Sequence, residues 1–144
     1  MIDTIGGTVV IVSDQQKAIE FYTQKLGFEL KTDMAFGSSS SSNSSSGIRW
    51  VEVAPKASQS TISLMVANAQ LMSNEGEIEA AKKGIGTETG IWFYSHDIQS
   101  TYEELKNKGV DITSAEKQEW GGIMSKFKDQ DGNSYSLIAS PPLT

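Results

Sequence analysis

Two stretches of the chain pass from the period of a strand to the period of a helix. In Thr89–Val110, the segment Gly90–Ser95 gathers Ile91, Trp92, Phe93 and Tyr94, residues that suit a pleated surface covered on both faces, and so predicts a strand. Asp97 then stands where a helix N-cap belongs, and Ile98, Thr101, Tyr102 and Leu105 follow at i, i+3, i+4 and i+7, an apolar stripe at helical period. Lys106 and Lys108 complement the dipole of the last turn, and Gly109 supplies the left-handed residue that closes a helix. The N-terminal region repeats this grammar. Thr8–Val12 is an apolar, β-branched strand, Asp14 is the cap, and Ala18, Ile19, Tyr22 and Leu26 carry the stripe to Gly27. Asp14 lies 13 residues before Gly27 and Asp97 lies 12 before Gly109, and an extended segment begins after each glycine. A repeat this long and this sparse is no solenoid; it predicts two strand-helix-strand modules within one domain.

Between and after these stretches the period is that of strands. Phe28–Asp33 predicts a second strand. Gly37–Gly47, GSSSSSNSSSG, has the composition of a flexible linker and reads as a loop between adjacent strands. Ile48–Val53 and Thr61–Val66 alternate, with Val51 and Val53, and Ile62, Leu64 and Val66, on purely aliphatic faces that we place against the helices. The mixed faces, with Trp50 and Glu52 on one strand and Thr61, Ser63 and Met65 on the other, are then left for the open side. Gly76–Lys83 predicts a short helix within a linker at 68–88. Asp111–Glu116, Gly122–Lys128 and Ser134–Ala139 complete the strands, the last two joined by a tight turn over Asp129–Asn133.

Composition narrows the function classes. With 144 residues and a formal charge of -6, the chain has the size of one domain and no basic stripe for nucleic acid. It has no cysteine, which excludes disulfides and thiolate chemistry and is compatible with a reducing compartment. The N-terminus lacks a basic region followed by an apolar run, and nothing approaches membrane-spanning length, so a soluble cytoplasmic protein is expected.

The order β-α-β-β-β, twice over, carries a family resemblance. Val12-Ser13-Asp14 with KAIEFYTQKLGFEL, TGIWFYSHDI with YEELKNKGV, and Trp120-Gly121-Gly122 with KDQDGNSYSL resemble the vicinal oxygen chelate superfamily of glyoxalase I, extradiol dioxygenases, and fosfomycin and bleomycin resistance proteins. The resemblance runs from about Ile5 to Ile138. It implies an α+β fold in which two βαβββ modules (module one 1–67, module two 89–140) form an open, cup-shaped, eight-stranded barrel around a ligand cavity, with helices outside and a homodimer as the assembly.

The resemblance also implies a divalent metal held by His, Gln or Glu from four strands. Those positions fall here on Gly7, Ser63, Gly90 and Ser136, none of which offers a competent ligand. The one histidine, His96, follows six residues after Gly90 and reads as a surface or capping residue. No metal or other cofactor is therefore expected. Strand alternation lines the cavity with Trp50, Glu52, Ser63, Met65, Trp92, Tyr94 and Ser136, and Trp120 stands in a glycine-flanked loop. Tryptophan faces bind planar or cationic molecules, and they also simply fill cores. Glu52, the one inward carboxylate, is the single weak candidate for a catalytic base through a raised pKa, the alternative being a salt bridge with Arg49, Lys126 or Lys128. Three readings stay open: a metal-free binding protein for a small aromatic or cationic molecule; a metal-dependent lyase, isomerase or dioxygenase, a glyoxalase-like lyase if it is an enzyme at all; and a protein-interaction module with a vestigial cavity.

Overall fold

In a computed structural model, residues 1–35, 49–68 and 72–140 are described. The serine-rich segment 37–47 lies outside the described residues. Each half of the repeat forms one sheet with a helix packed on one side. The first unit runs to Ile85 and the second begins at Gly86.

In the first unit, β1 (Gly7–Ile11), β2 (Glu29–Ala35), β3 (Arg49–Ala54) and β4 (Thr61–Met65) form a sheet in the order β1-β4-β3-β2, parallel between β1 and β4 and antiparallel elsewhere. The helix α1 (Gln15–Glu20) lies against β3 and β4. Asp14 caps it, its carboxylate accepting the Lys17 N–H at 3.0 Å, as the sequence predicts. The expected helix to Leu26 instead loosens after Glu20 into a π-helical turn, Phe21–Lys25. The Thr23 hydroxyl donates to the Ile19 carbonyl at 2.7 Å, and this competing bond accompanies the switch to i→i−5 pairing of Leu26 N–H with Phe21. Val10, Val51, Val53, Ile62 and Leu64 are buried beneath the helix with Ala18, Ile19 and a fully buried Tyr22, each large side chain contributing roughly 1.5–3 kcal/mol. The predicted short helix is α2 (Glu75–Gly84), capped by Asn74 and with no buried residue.

In the second unit, β5 (Glu88–Ser95), β6 (Asp111–Ile112), β7 (Glu116–Lys117), β8 (Ile123–Lys128) and β9 (Ser134–Ala139) form the order β5-β9-β8-β6, with β7 also on β8. The helix α3 (Ile98–Asn107) packs on β6, β8 and β9, and the Asp97 carboxylate accepts the Ser100 N–H at 3.0 Å. Its core is aromatic. Phe93, Phe127 and Tyr135 meet at 5.3–5.9 Å between ring centroids. The single strand expected over Asp111–Glu116 is two short strands, because at Thr113 only half of the ladder pairing survives, its N–H donating to the Lys126 carbonyl at 2.8 Å. Its hydroxyl accepts the Lys126 N–H at 2.9 Å and its carbonyl accepts the Ser125 hydroxyl at 2.6 Å. The β8–β9 turn is pinned by the buried Asp129, which accepts from the backbone of Asp131 and Asn133, and by the Asn133 amide. Among the described residues no helix is long and apolar enough to cross a membrane.

Candidate functional site

Of the residues singled out from the sequence, Glu52 and Ser63 share a row in the first unit and Trp92 and Ser136 share one in the second, whereas Met65 and Trp120 lie elsewhere. In the second unit, β5 alternates between exposed Gly90, Trp92 and Tyr94 and half-buried Ile91 and Phe93. Trp92 is 56% exposed and Tyr94 64%, so these aromatics do not fill a core; Phe93 does, from the opposite side. Strand register sets Trp92 beside Ser136 and Lys126 in one row, and Tyr94 beside Ile138 and Met124 in the next. Trp120 belongs to the turn between β7 and β8, where Gln118 and Gly121–Gly122 close the hairpin through backbone bonds. Its indole lies directly over Gly122, where a Cβ would collide with the ring, yet it remains 62% exposed.

In the first unit the open side is more polar. Val9, 53% exposed, faces Ser63 across the β1–β4 pair, and Ser63 neighbours Glu52 on β3. Met34 stands opposite Trp50 and Thr32 opposite Glu52. Ser63 and Met65 are both buried. Met65 sits where the Gln15 amide covers the end of β4, with Nε2 4.0 Å from its sulfur, so it belongs to the interior instead of to an open surface.

Glu52 is neither the raised-pKa base nor the salt-bridge partner that its position allows. The Thr61 hydroxyl donates to its Oε2 at 2.6 Å. This bond first, with Thr32 and Trp50 adding to it, holds the carboxyl below its ordinary value against the opposing effect of burial. A depressed pKa removes the proton affinity that a base working near neutrality needs. Arg49 turns to Asp33 and Gln16, and Lys126 to Glu88 at 2.8 Å. Glu88, outside the predicted strand and so missed by it, is held below its ordinary value chiefly by Lys126.

The four positions at which the resemblance places metal ligands do not fit that role here. A Cβ on Gly7 would run into the Thr61 carbonyl oxygen, so β1 approaches β4 only because the side chain is absent. Gly90 lies in an irregular stretch of β5 with φ of 74°, a left-handed conformation that other L-residues avoid. The bulge is stitched by the Thr89 hydroxyl, which donates to the Ser134 carbonyl and accepts from Ile91 N–H. Ser63 is buried and Ser136 half-buried, and among the described residues no three His, Asp or Glu side chains converge. His96 is exposed and shares a hydrogen bond with Ser140 at 3.3 Å. Beside the aromatic rows, the break between β6 and β7 opens a cleft of about 360 Å³ lined by Thr113, Ser114, Glu116, Gln118, Met124, Ser125 and Lys126. Reading Asp111–Glu116 as one strand hid it.

Comparison with known proteins agrees with this fold. The chain is 36% identical to the uncharacterised protein YetH of Bacillus subtilis (strain 168), over 95% of this chain and 98% of that one. A member of the glyoxalase/bleomycin resistance protein/dioxygenase superfamily from Sphaerobacter thermophilus DSM 20745 superposes with a TM-score of 0.79 at 29% identity, covering 96% and 98% of the two chains. TnmS3, an antibiotic binding protein from Streptomyces sp. CB03234, shares the fold with a TM-score of 0.71 at 24% identity, covering 97% and 98%. The profile of the Glyoxalase/Bleomycin resistance protein/Dioxygenase superfamily matches residues 4–137, and the chain belongs to that superfamily.

Proposed function

We propose that this chain is a metal-free binding protein that holds a small planar aromatic or cationic molecule on the open faces of its sheets, working as a cytoplasmic homodimer. The observation that carries the reading is the exposure of Trp92 and Tyr94 on β5. An indole and a phenol more than half exposed side by side, next to Ser136 and Ile138, form a stacking surface with a few polar anchors. The left-handed Gly90 and the close approach at Gly7 support a metal-free site, since a ligating side chain at either position would disturb its strand. A protein of the same fold is named as an antibiotic binding protein, so the scaffold is suited to holding small molecules. Strand edges left unpaired at the ends of the two sheets support self-association.

Calorimetric titration of the full chain with quinoline, 2-naphthol and anthraquinone-2-sulfonate tests the binding reading. Saturable binding of at least one, lost in Trp92→Ala while the melting temperature stays close to that of the parent, is the expected result. Absence of saturable binding across the panel, or full retention in Trp92→Ala, overturns it. Stoichiometric zinc, nickel, iron or manganese in protein purified without chelating resin would return the metal-dependent lyase to the front, and a monomer by light scattering at micromolar concentration would remove the dimer.

A further inference from the structure

The exposed aromatics of β5 and the cleft between β6 and β7 belong to the same unit and are joined by shared residues. Strand pairing lays Tyr94, Ile138, Met124 and Glu116 in one row across β5, β9, β8 and β7, and Trp92, Ser136 and Lys126 in the row beside it. Side chains paired across strands stand on one face of a sheet. Glu116, Met124 and Lys126, which line the cleft, therefore also continue the surface that carries Trp92 and Tyr94. With neighbouring strands about 4.8 Å apart, Met124 stands roughly 10 Å from Tyr94 along its row, a span that a fused ring system with one arm covers. The cleft, at about 360 Å³, lies at the lower end of the roughly 300–1,000 Å³ of ligand pockets. That space suits one end of a ligand whose other end stacks outside.

The polar groups of the cleft indicate the chemistry of that end. The Thr113 and Ser114 hydroxyls and the Gln118 amide each donate and accept. Gln118 is held in place, its backbone N–H donating to the Gly122 carbonyl at 2.7 Å, its carbonyl accepting the Gly121 N–H at 2.9 Å, and its side-chain amide donating to the Glu116 carbonyl at 2.9 Å. Its side-chain oxygen remains an acceptor. The Glu116 carboxylate accepts the Ser114 hydroxyl at a long 3.4 Å. Lys126, the cation on the wall, is matched by Glu88 at 2.8 Å, so an anionic arm would have to compete for it. Hydroxyl groups, each both donor and acceptor, satisfy such a mixed set.

We propose that the β6–β7 cleft is a subsite for a hydroxylated arm, and that the ligand is an aryl glycoside or a similar planar aromatic bearing a polyol. Its rings stack on Trp92 and Tyr94, its hydroxyls bond among Ser114, Glu116 and Gln118, and Met124 supplies apolar contact under the linkage. This rests on the sheet-face binding proposed above and narrows the ligand to one with a neutral hydrogen-bonding arm.

2-Methoxynaphthalene and 2-naphthyl β-glucopyranoside share a ring system and an aryl ether oxygen and differ in the sugar. Calorimetry on the full chain gives both affinities, and methionine methyl signals report contact at Met124. The glucoside is expected to bind at least about tenfold more tightly, the worth of about one to two net hydrogen bonds, and to move the Met124 signal. Ser114→Ala combined with Gln118→Ala is expected to erase that preference while leaving the affinity for 2-methoxynaphthalene in place. Ser114→Met, which fills the cleft from an exposed position and keeps the Gln118 hairpin bonds, is expected to do the same. Trp92→Ala is expected to weaken both probes. Equal affinity for the two probes, or a preference that survives either cleft variant, overturns the inference and leaves the aromatic-binding reading standing. Binding of neither probe sinks both.

Discussion

The two units follow the same plan on their helix sides and part company on their open sides. Asp14 and Asp97 cap their helices at the same 3.0 Å, Gly27 and Gly109 take the same left-handed conformation, and each sheet joins its first strand in parallel to its last. The open faces differ in kind. In the second unit a carboxylate is cancelled by a lysine and two aromatics stand exposed; in the first, a carboxylate is held by neutral hydroxyls and an indole. A cap or a core position has one physical task and tolerates few solutions. The open side is free of that constraint, so the halves can diverge there, and it is there that the proposed binding is to be tested.

Removal of one aromatic from each side of β5 tests the division most severely. Phe93→Ala takes a ring out of the cluster with Phe127 and Tyr135 and is expected to cost about 3 kcal/mol. Trp92→Ala removes a larger ring that is 56% exposed and should cost under about 1 kcal/mol. Thermal unfolding of the two variants gives the order, and a reversed order would mean that the faces are assigned the wrong way round.

The glycines at the positions where the resemblance implies ligands come next, and they separate two causes. Gly7 is required by contact with Thr61, Gly90 by its backbone conformation. Asparagine tolerates the left-handed region better than valine does, so Gly90→Asn should cost about 1 kcal/mol less than Gly90→Val. Gly7→Asn should spare nothing relative to Gly7→Ala, since both carry the Cβ that meets the Thr61 carbonyl, and each is expected to cost about 1–3 kcal/mol. Denaturant midpoints of the four variants decide the matter. A mild Gly7→Ala would show that β1 can shift away from β4 cheaply.

The first helical position distinguishes the units as well. Ile98 is an apolar residue packed under α3, whereas Gln15, equally buried, donates to the carbonyls of Arg49 and Leu64 and accepts the Arg49 N–H at 3.0 Å. It ties the helix to the ends of β3 and β4, including the strand that carries Trp50 and Glu52. Gln15→Ile would make the halves more alike, yet it is expected to destabilise by about 1–3 kcal/mol, because those backbone groups lose their partner. Chemical denaturation measures it, and a neutral result would mean that water replaces the amide.

What the sequence discloses divides along the same line. The caps, the helix-ending glycines and the aliphatic faces of β3 and β4 were legible because each depends on neighbours a few residues away; β5, read as a strand covered on both faces, instead leaves Trp92 and Tyr94 exposed on one of them. The family's order of elements was legible for the same reason. Met65 breaks the alternation that marked it as open, since Gln15 closes over the end of its strand from 50 residues away. The pairing of Glu88 with Lys126 and of Glu52 with Thr61 requires the register between strands, which periodicity does not fix. Thr113 had no signal at all, because a threonine in a β-rich run reads as strand until its hydroxyl is seen bonded across to Lys126.

The smallest expected effect bears most directly on the two carboxylates. Both are depressed below the ordinary glutamate pKa of about 4.3, Glu52 by hydrogen bonds from neutral groups with Thr61 foremost, Glu88 by Lys126 foremost. A depressed folded-state pKa contributes stability that is fully present above the unfolded value and is lost as pH falls through the folded one. Glu52→Gln and Glu88→Gln should therefore each flatten the loss of stability below about pH 4.5, by under about 1 kcal/mol for groups this exposed. Salt separates them. The Lys126–Glu88 pair has about half of each side chain in solvent, so its contribution should fade between low salt and about 1 M, where the screening length shrinks to about 3 Å. The contribution of Glu52, made by hydroxyl and indole donors that carry no charge, should persist. Urea denaturation of both variants across pH at the two ionic strengths supplies the comparison. A Glu52 effect that fades with salt as the Glu88 effect does would mean that a cationic side chain of this protein already neutralises it.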